Sequence, residues 1–207
     1  MMSVVRVFLF SFLLSSFPIT SQTITSYTSA DGLLNNYVEC VAVDINDNVW
    51  FGTANNGLSF HSAIASKFSS IKYDSENEWG LLRSKIYSIE ATGNNFLWVA
   101  TDYGLEYLSS DGIRYDDISK SELGVNQITD IYFGDNNILW VGSTSGLLKI
   151  DLNDRNVLRY SSKSVDENHK ITNDIVYDIF HDDEGYLWIS THNGVSIISL
   201  TESRIYN

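Results

Sequence analysis

The chain has 207 residues, 43% hydrophobic and 19% charged, a composition that fits one globular domain with a sizeable core and does not fit a disordered tail. It carries 13 Lys and Arg against 26 Asp and Glu, which gives a formal net charge of −13 at pH 7. Such an acidic surface repels phosphate backbones and offers no basic patch, so we expect no nucleic acid partner.

The first 21 residues have the order of a secretory signal peptide. Arg6 precedes an uncharged apolar run from Val7 to Leu14, and a segment rich in small residues follows as far as Ser21, near which we expect cleavage. The run is far shorter than the about 20 residues that a bilayer span needs. Cleavage would leave 12 basic against 26 acidic residues, because Arg6 is the one charged residue removed. We therefore predict an exported protein with no membrane span after removal of a signal peptide at 1–21.

After this segment, one sequence phrase occurs four times. Each copy has a short apolar strand, a polar turn, a Trp with a small residue two places later, and then a Gly followed by an aliphatic residue. The tryptophans are spaced 48, 42 and 48 residues apart, which is the period of a four-stranded propeller blade. They are Trp50, Trp98, Trp140 and Trp188. The repeat predicts an all-β fold, a β-propeller with four repeats, each a four-stranded antiparallel blade.

Within each repeat, the first predicted strand has its apolar residues 12, 9 and 7 places before the Trp, as at Val38, Val41 and Val43. A hairpin turn leads to the Trp strand, which is apolar on both faces and must be covered by a blade on each side. A uniformly small residue two places after each Trp indicates close approach by a neighbouring strand or blade. These residues are Gly52, Ala100, Gly142 and Ser190. The predicted propeller domain covers 22–207, with blades at about 34–73, 82–115, 124–160 and 172–206.

Thr23 to Tyr27 also match the pattern of the fourth strand. The chain therefore reads as a spare outer strand, 23–27, followed by four complete units, and we expect an incomplete part of a larger propeller. Its last blade should expose one face, to which further propeller blades or another protein would bind. A compact disc of four blades is the alternative, since propellers of about 4 to 8 blades exist.

The unit, from about Asn36 to the C-terminus, resembles the two-component regulator propeller repeat. The resemblance rests on an Asn or similar residue, a strand, an Asp-rich turn, a strand like LW[IV]GT and a following Gly-Leu, in four copies. Thr92 and Gly134 depart from the turn Asp that Asp44 and Asp182 supply. In that family such repeats form the exported sensor region of bacterial hybrid histidine kinases that detect carbohydrate fragments. The resemblance implies a periplasmic or extracellular bacterial sensor domain, without kinase output in these residues.

The motifs give no catalytic residue, no metal site and no cofactor. Residues 44–48 begin like a calcium loop, but Val49 occupies the position that requires Gly. Residues 142–146 resemble a nucleophile elbow, but Thr144 is central and the segment joins two strands. The only cysteine, Cys40, excludes an intrachain disulfide and is expected to be a small buried side chain.

Three loop residues are candidate ligand contacts. Trp79 is the one Trp outside the repeat and lies in a loop between two blades, where an aromatic ring could stack on a sugar. Tyr103 and His192 lie in hairpin turns, just before the turn glycines Gly104 and Gly194. The residue types at these two places vary between the copies. For Trp79 the alternative is a loop anchor packed on its own blade. Nothing in the sequence places all three in one site.

The hypothesis that follows is a non-catalytic ligand-sensing module of a two-component system, which captures an oligosaccharide on loops at one propeller face. One alternative is a carbohydrate-active enzyme, hydrolase or lyase, on a propeller scaffold. Carboxylates clustered at one mouth of the channel would favour that enzyme, and polar and aromatic loops without such a cluster would favour sensing. A second alternative is a scaffold or assembly protein of the bacterial envelope, with the exposed terminal blade as its contact surface.

Overall fold

The computed structural model describes residues 24–74, 76–77, 79–202 and 204–207. The predicted signal peptide and Thr23 lie outside the described residues. In the described part of the chain, no helix is long and apolar enough to cross a membrane.

The described strands form four antiparallel sheets of four, each in chain order from the centre outwards. Blade 1 contains β1 (Val38–Val43), β2 (Val49–Thr53), β3 (Gly57–His61) and β4 (Phe68–Lys72). Blade 2 contains β5 (Ile86–Thr92), β6 (Phe96–Thr101), β7 (Gly104–Ser109) and β8 (Arg114–Ser119). Blade 3 contains β9 (Ile128–Gly134), β10 (Ile138–Ser143), β11 (Gly146–Asp151) and β12 (Asn156–Tyr160). Blade 4 contains β13 (Val176–His181), β14 (Tyr186–Thr191), β15 (Gly194–Ser199) and β16 (Arg204–Tyr206).

Short helices occupy turns and connections. The one α-helical turn is α1 (Lys120–Leu123), between blades 2 and 3, and 3-10 turns lie at Ser29–Asp31, Asp135–Asn137 and Glu167–His169 in the described chain. Ser119 caps α1 by accepting from the N–H of Glu122, whose side chain accepts from the N–H of Ser119 in return. This strand-dominated arrangement confirms the predicted all-β propeller of four-stranded blades.

Each blade has two distinct faces. We call the face that carries the Trp and the small residue two places later the forward face, because it packs on the next blade. The opposite face, which carries the apolar residues 12 and 9 places before the Trp, is the rear face. At the first contact, Trp50 on the forward face of blade 1 shares a buried cluster with Ile86 and Ile89 on the rear face of blade 2. Equivalent clusters join Trp98 to Ile128 and Ile131, and Trp140 to Val176 and Ile179.

The small residue after each Trp is required by this packing. A Cβ at Gly52 would lie 2.6 Å from the Ile86 side chain, and one at Gly142 would lie 2.9 Å from that of Val176. Cβ atoms in real structures essentially never lie this close to another atom, so a larger residue at either position would force a neighbour to move. The structure therefore agrees with the close approach expected from the sequence, and the partner is the first strand of the next blade.

The described part of the predicted spare strand, residues 24–27, forms no strand. Tyr27 instead packs its ring on His61 and Phe68, with ring centroids 5.6 and 5.3 Å apart. An outer strand needs a third strand with a free edge, and each described third strand is already paired with the outer strand of its own blade. Residues 24–27 therefore have no blade edge to join within the described chain, and their role as the outer strand of a further blade stays a prediction.

The four blades form an open arc. Packing between first strands joins blades 1 to 2, 2 to 3 and 3 to 4, and no packing of that extent joins blade 4 to blade 1 in the described chain. Trp188 is accordingly 41% exposed, whereas Trp50, Trp98 and Trp140 are 1–3% exposed. The expected exposed face of the last blade is present. That the arc belongs to a larger propeller stays a prediction.

Candidate functional site

The first strands of all four blades surround a central groove of about 450 Å³. Its walls are residues 39–41 of β1, 87–90 of β5, 129–132 of β9 and 177–179 of β13. Every blade contributes its first strand to this groove.

A β-bulge recurs at the same place in each of these first strands. The pairing register skips one residue between positions 12 and 10 before the Trp, for example between Val38 and Cys40. A bulge leaves its extra residue unpaired and redirects side chains. The extra residues all line the groove, and they are Glu39, Tyr87, Thr129 and Tyr177.

The apolar spacing of the first strand carried a signal for this bulge. Ile86 and Ile89 are both buried on the rear face, yet they are three residues apart. In a regular strand, residues three apart point to opposite faces. The apolar positions 12 and 9 places before each Trp therefore required an inserted residue between them, which the sequence analysis did not recognise.

Four carboxylates lie on the walls of the groove, namely Glu39, Glu90, Asp130 and Asp178. Asp130 joins three blades, because it accepts from Ser88 Oγ at 2.7 Å and from the N–H of Ile179 at 2.8 Å. Glu90 accepts from the N–H of Phe133 at 3.4 Å. These residues vary in type between the repeats, so the repeat analysis did not single them out.

Burial raises the pKa of the two central carboxylates, Glu90 and Asp130. Desolvation raises the pKa of Glu90 to about 7, the negative charge of Asp130 adds to the rise, and the Phe133 N–H opposes it. Desolvation also raises the pKa of Asp130, with a smaller contribution from Asp178, against the hydrogen bonds from Ser88 and Ile179. Glu90 therefore changes charge near neutral pH, and the groove can present either an acid or a carboxylate there.

Cys40 also lines the groove and is partly buried. Desolvation raises its pKa to about 12, so the side chain is a thiol at neutral pH and a poor nucleophile. Among the residues that the structure describes, no group of three His, Cys, Asp or Glu is placed to hold a metal ion.

The structure places the three predicted contact residues at different points. Trp79 lies at the outer edge of blade 2, where its C=O accepts from the N–H of Arg114 at 2.6 Å. Its side chain is 69% exposed, so the loop is held there by backbone hydrogen bonds and the ring is open to solvent. No described contact joins Trp79 to Tyr103 or His192.

Tyr103 is partly buried in the turn between β6 and β7. Its hydroxyl donates to Asp117 at 3.0 Å, and the guanidinium carbon of Arg83 lies 5.6 Å from its ring centroid. The hydrogen bond to Asp117 is the first cause of the raised pKa of Tyr103, followed by desolvation. These contacts tie the ring to blade 2 and give it a structural role.

His192 lies in the turn between β14 and β15, and its Nδ1 is 2.8 Å from the hydroxyl of Tyr177. Tyr177 is one of the bulge residues on the groove wall, so this hydrogen bond connects the predicted His192 to the groove. The N–H of His192 donates to the C=O of Ile175 at 2.9 Å, and Ile175 belongs to the loop that joins blade 3 to blade 4. The turn therefore lies on the same propeller face as that loop.

The chain is similar to known proteins in parts of its sequence and in its fold. The sequence pattern of the two component regulator propeller family matches residues 32–55 and 170–193, which contain the first hairpins of blades 1 and 4. No curated protein sequence matches the chain.

Among solved structures, the chain is similar to the extracellular domain of a hybrid two component system from B. thetaiotaomicron. The two share 24% identity with a TM-score of 0.68, over 91% of this chain and 25% of the other. The extracellular domain of a one component system from the same organism is 21% identical with a TM-score of 0.63, over 81% of this chain and 22% of the other. A streptogramin B lyase is 20% identical with a TM-score of 0.59, over 82% of this chain and 53% of the other. This chain thus spans about a quarter of the length of the two extracellular domains.

At these identities, the likeness to solved structures shows the fold alone, and the sequence pattern identifies the repeats. Both matched segments include a turn Asp, Asp44 or Asp182, and the Trp six residues later. Two segments of the chain, in blades 1 and 4, therefore match the two component regulator propeller pattern, and the chain folds as four blades of an all-β propeller.

Proposed function

We propose that this chain is the exported, non-catalytic ligand-sensing module of a two-component system, and that its ligand is an oligosaccharide. The observation that carries the proposal is the match of two of its repeats to the two component regulator propeller pattern. Two similar structures are extracellular domains of signalling systems, which supports a periplasmic or extracellular location. The leader-like residues 1–21 support the same location.

The groove is the binding site that this proposal favours. Its walls combine the rings of Tyr87, Tyr132 and Tyr177 with the carboxylates of Glu90 and Asp130. Sugar hydroxyls donate to carboxylate oxygens, and the apolar face of a sugar ring packs on an aromatic ring. An open groove with a few converging polar groups is the usual form of a small-molecule site.

The loop residues enter the proposal in different ways. His192 extends the groove site through its hydrogen bond to Tyr177. Trp79 offers an exposed ring for an outlying sugar of a long ligand. Tyr103, whose hydroxyl is hydrogen-bonded to Asp117, would contact the ligand through its ring. The blade faces at the two ends of the arc are proposed contact surfaces for further propeller blades or another protein.

Catalysis in the groove is the second candidate function. It is favoured by the carboxylates gathered on the groove walls and by the pKa of Glu90 at about 7, which suits a general acid. Glu90 would then act as the acid or base of a carbohydrate hydrolase or lyase, with Asp130 beside it. The similarity to streptogramin B lyase adds the fold alone.

Glycan-array binding of the full chain, followed by calorimetry with the best oligosaccharide, tests sensing. We expect Glu90→Gln to weaken binding by at least about tenfold and the exposed Glu184→Gln to leave it unchanged. Analysis of the ligand by mass spectrometry after incubation separates the two functions: intact ligand supports sensing, and cleaved ligand supports the enzyme. Absence of binding to every glycan would contradict both.

A further inference from the structure

The two end faces of the arc are exposed and apolar. On the forward face of blade 4, Phe180 is 61%, Val195 is 47% and Trp188 is 41% exposed. On the rear face of blade 1, Val41 and Val43 are 59% and 58% exposed. Inside the arc, residues at the positions of Trp188, Val195 and Val41 are buried, and those at the positions of Phe180 and Val43 are half-buried. The two end faces thus expose side chains that another blade covers elsewhere in the molecule.

The two end faces are the complementary halves of the contact that the molecule already forms three times. At each internal contact, the small residue of the forward face receives the β-branched residue 12 places before the Trp of the next blade, as Gly142 receives Val176. On blade 4, Ser190 is the small residue, and it has no such partner within the arc in the described chain. On blade 1, Val38 is the β-branched residue, and it is 36% exposed.

The N-terminal segment leaves this contact possible. It lies on the outer half of the rear face of blade 1, where the N–H of Leu34 donates to Ser59 Oγ at 2.9 Å. The same anchor occurs inside the arc, where the N–H of Thr172 donates to Ser196 Oγ at 2.9 Å on the rear face of blade 4. Blade 3 packs on blade 4 with that anchor in place. The anchor at Leu34 therefore does not block docking of a blade on blade 1.

We propose that blade 4 of one copy docks its forward face on the rear face of blade 1 of a second copy, so that Ser190 receives Val38. Such a contact is heterologous, because two different surfaces meet. Two arcs of four blades closed in this way form a ring of eight, within the range of about 4 to 8 blades known for propellers. The ring covers both end faces of both copies, so assembly stops at the dimer.

Light scattering on the full chain after size exclusion tests the proposal through its mass. We expect a dimer for the unaltered chain and monomers for Ser190→Trp and for Val41→Glu, which alter one end face each. Val165 is 98% exposed in a loop outside both faces, so Val165→Trp and Val165→Glu are matched controls that should remain dimeric. Circular dichroism checks that every variant is folded, and Phe180→Lys and Val43→Lys replace any variant that is not.

Mixing the two monomeric variants tests the direction of the contact. A Val41→Glu copy keeps an intact blade 4 face, and a Ser190→Trp copy keeps an intact blade 1 face, so the mixture should form a heterodimer through one contact. A Val41→Glu variant that stays dimeric would overturn the proposal, because blade 4 would then pair with itself or another surface would dimerise. An unaltered chain that is monomeric at every soluble concentration would also overturn it, and a series of larger oligomers would overturn the closed ring.

Discussion

Blades 2 and 3 are packed on both faces, whereas blades 1 and 4 are packed on one, and the repeats differ accordingly. In blades 1 and 4 the indole N–H of the Trp donates to the turn Asp, from Trp50 to Asp44 at 2.8 Å and from Trp188 to Asp182 at 2.7 Å. In blades 2 and 3, Thr92 and Gly134 replace that Asp. No indole hydrogen bond is present for Trp98 or Trp140 within the described residues. The Trp position is thus held by blade packing alone in the interior and by packing plus a side-chain acceptor at the ends.

The two end blades are also the ones whose repeats match the family pattern. The matched segments, 32–55 and 170–193, belong to the two end blades, which keep the turn Asp. The interior repeats lack the Asp and keep the fold, because apolar side chains around Trp98 and Trp140, each 3% exposed, fix those rings. Trp50 is equally buried at 1% and has the Asp as well, so only for the exposed Trp188 does the Asp supply what packing does not.

Truncation of a Trp should give the largest difference between the two kinds of blade. Trp140→Ala removes a side chain that is 3% exposed and should lower the free energy of unfolding by about 3–5 kcal/mol. Trp188→Ala, at 41% exposure, should cost less than about half of that. Urea unfolding at micromolar protein, in the Val41→Glu background that is expected to be monomeric, provides the measurement. Equal losses for the two variants would show that packing does not separate interior from end blades.

Enlargement of the small residue after the Trp should give the next largest effect. Gly142→Val places new atoms on Val176, whose Cγ1 would lie 2.9 Å from the added Cβ, and overpacking of this kind costs about 1–3 kcal/mol. Ser190→Val is the matched change on the exposed face of blade 4 and should cost less than about 0.5 kcal/mol. Thermal melting of both variants in the Val41→Glu background, where the blade 4 face is expected to stay exposed, compares them. A loss for Ser190→Val as large as that for Gly142→Val would contradict the close approach between blades.

Blade 2 contains a buried acid at a position where the end blades have Ser, and the ionisation of this acid should make the stability of the fold depend on pH. Glu106 is 0% exposed on the rear face of blade 2, where blades 1 and 4 have Ser59 and Ser196. Its carboxylate accepts from the N–H of Leu82 at 2.7 Å. Desolvation raises its pKa to about 7 from 4.5, and the hydrogen bonds from Leu82 and Thr101 oppose the rise. The folded protein therefore holds a proton at pH values where the unfolded chain has released it.

Because a raised carboxyl pKa means that the folded state binds more protons, stability should fall as pH rises from about 5 to 8. The loss attributable to Glu106 should be on the order of 2 kcal/mol, since one pKa unit corresponds to about 1.4 kcal/mol. Glu106→Gln keeps an oxygen for the Leu82 N–H and should remove this part of the pH dependence. Urea unfolding at several pH values measures it, and parallel profiles for the unaltered chain and the variant would show that Glu106 ionises normally.

The sequence predicted the parts of this molecule that repeat. The four tryptophans, the small residues after them and the hairpin turns recur because each blade must pack on its neighbours in the same way, so four copies show the pattern that one copy would hide. The groove was missed because its walls carry what does not repeat. At the bulge position the copies have Glu39, Tyr87, Thr129 and Tyr177, and no periodic rule connects these residue types.

Contacts between segments far apart in sequence were equally out of reach. The hydrogen bond between Tyr177 and His192 joins the first strand of blade 4 to the turn between β14 and β15. Asp130 of blade 3 accepts from Ser88 and Ile179 on its two neighbours. Such pairs depend on the curvature of the arc and on the bulge that redirects each strand, which local patterns do not specify.

The smallest of these effects concerns the turn Asp itself. Asp44 is 8% exposed, and its carboxylate accepts from the N–H groups of Asn46 and Asn48 as well as from the Trp50 indole. Desolvation raises its pKa, but these hydrogen bonds outweigh it and the net pKa lies below 3.8. Asp44→Ala should therefore cost about 1–2 kcal/mol at pH 7, and the difference from the unaltered chain should shrink as pH falls below about 4, where the carboxylate becomes protonated. Thr92→Ala, which removes one hydroxyl at the same place in blade 2, should cost less than about 1 kcal/mol. Urea unfolding at pH 7 and pH 3 measures both variants. An equal cost for the two would mean that the Asp holds the end blades no more firmly than packing holds the interior ones.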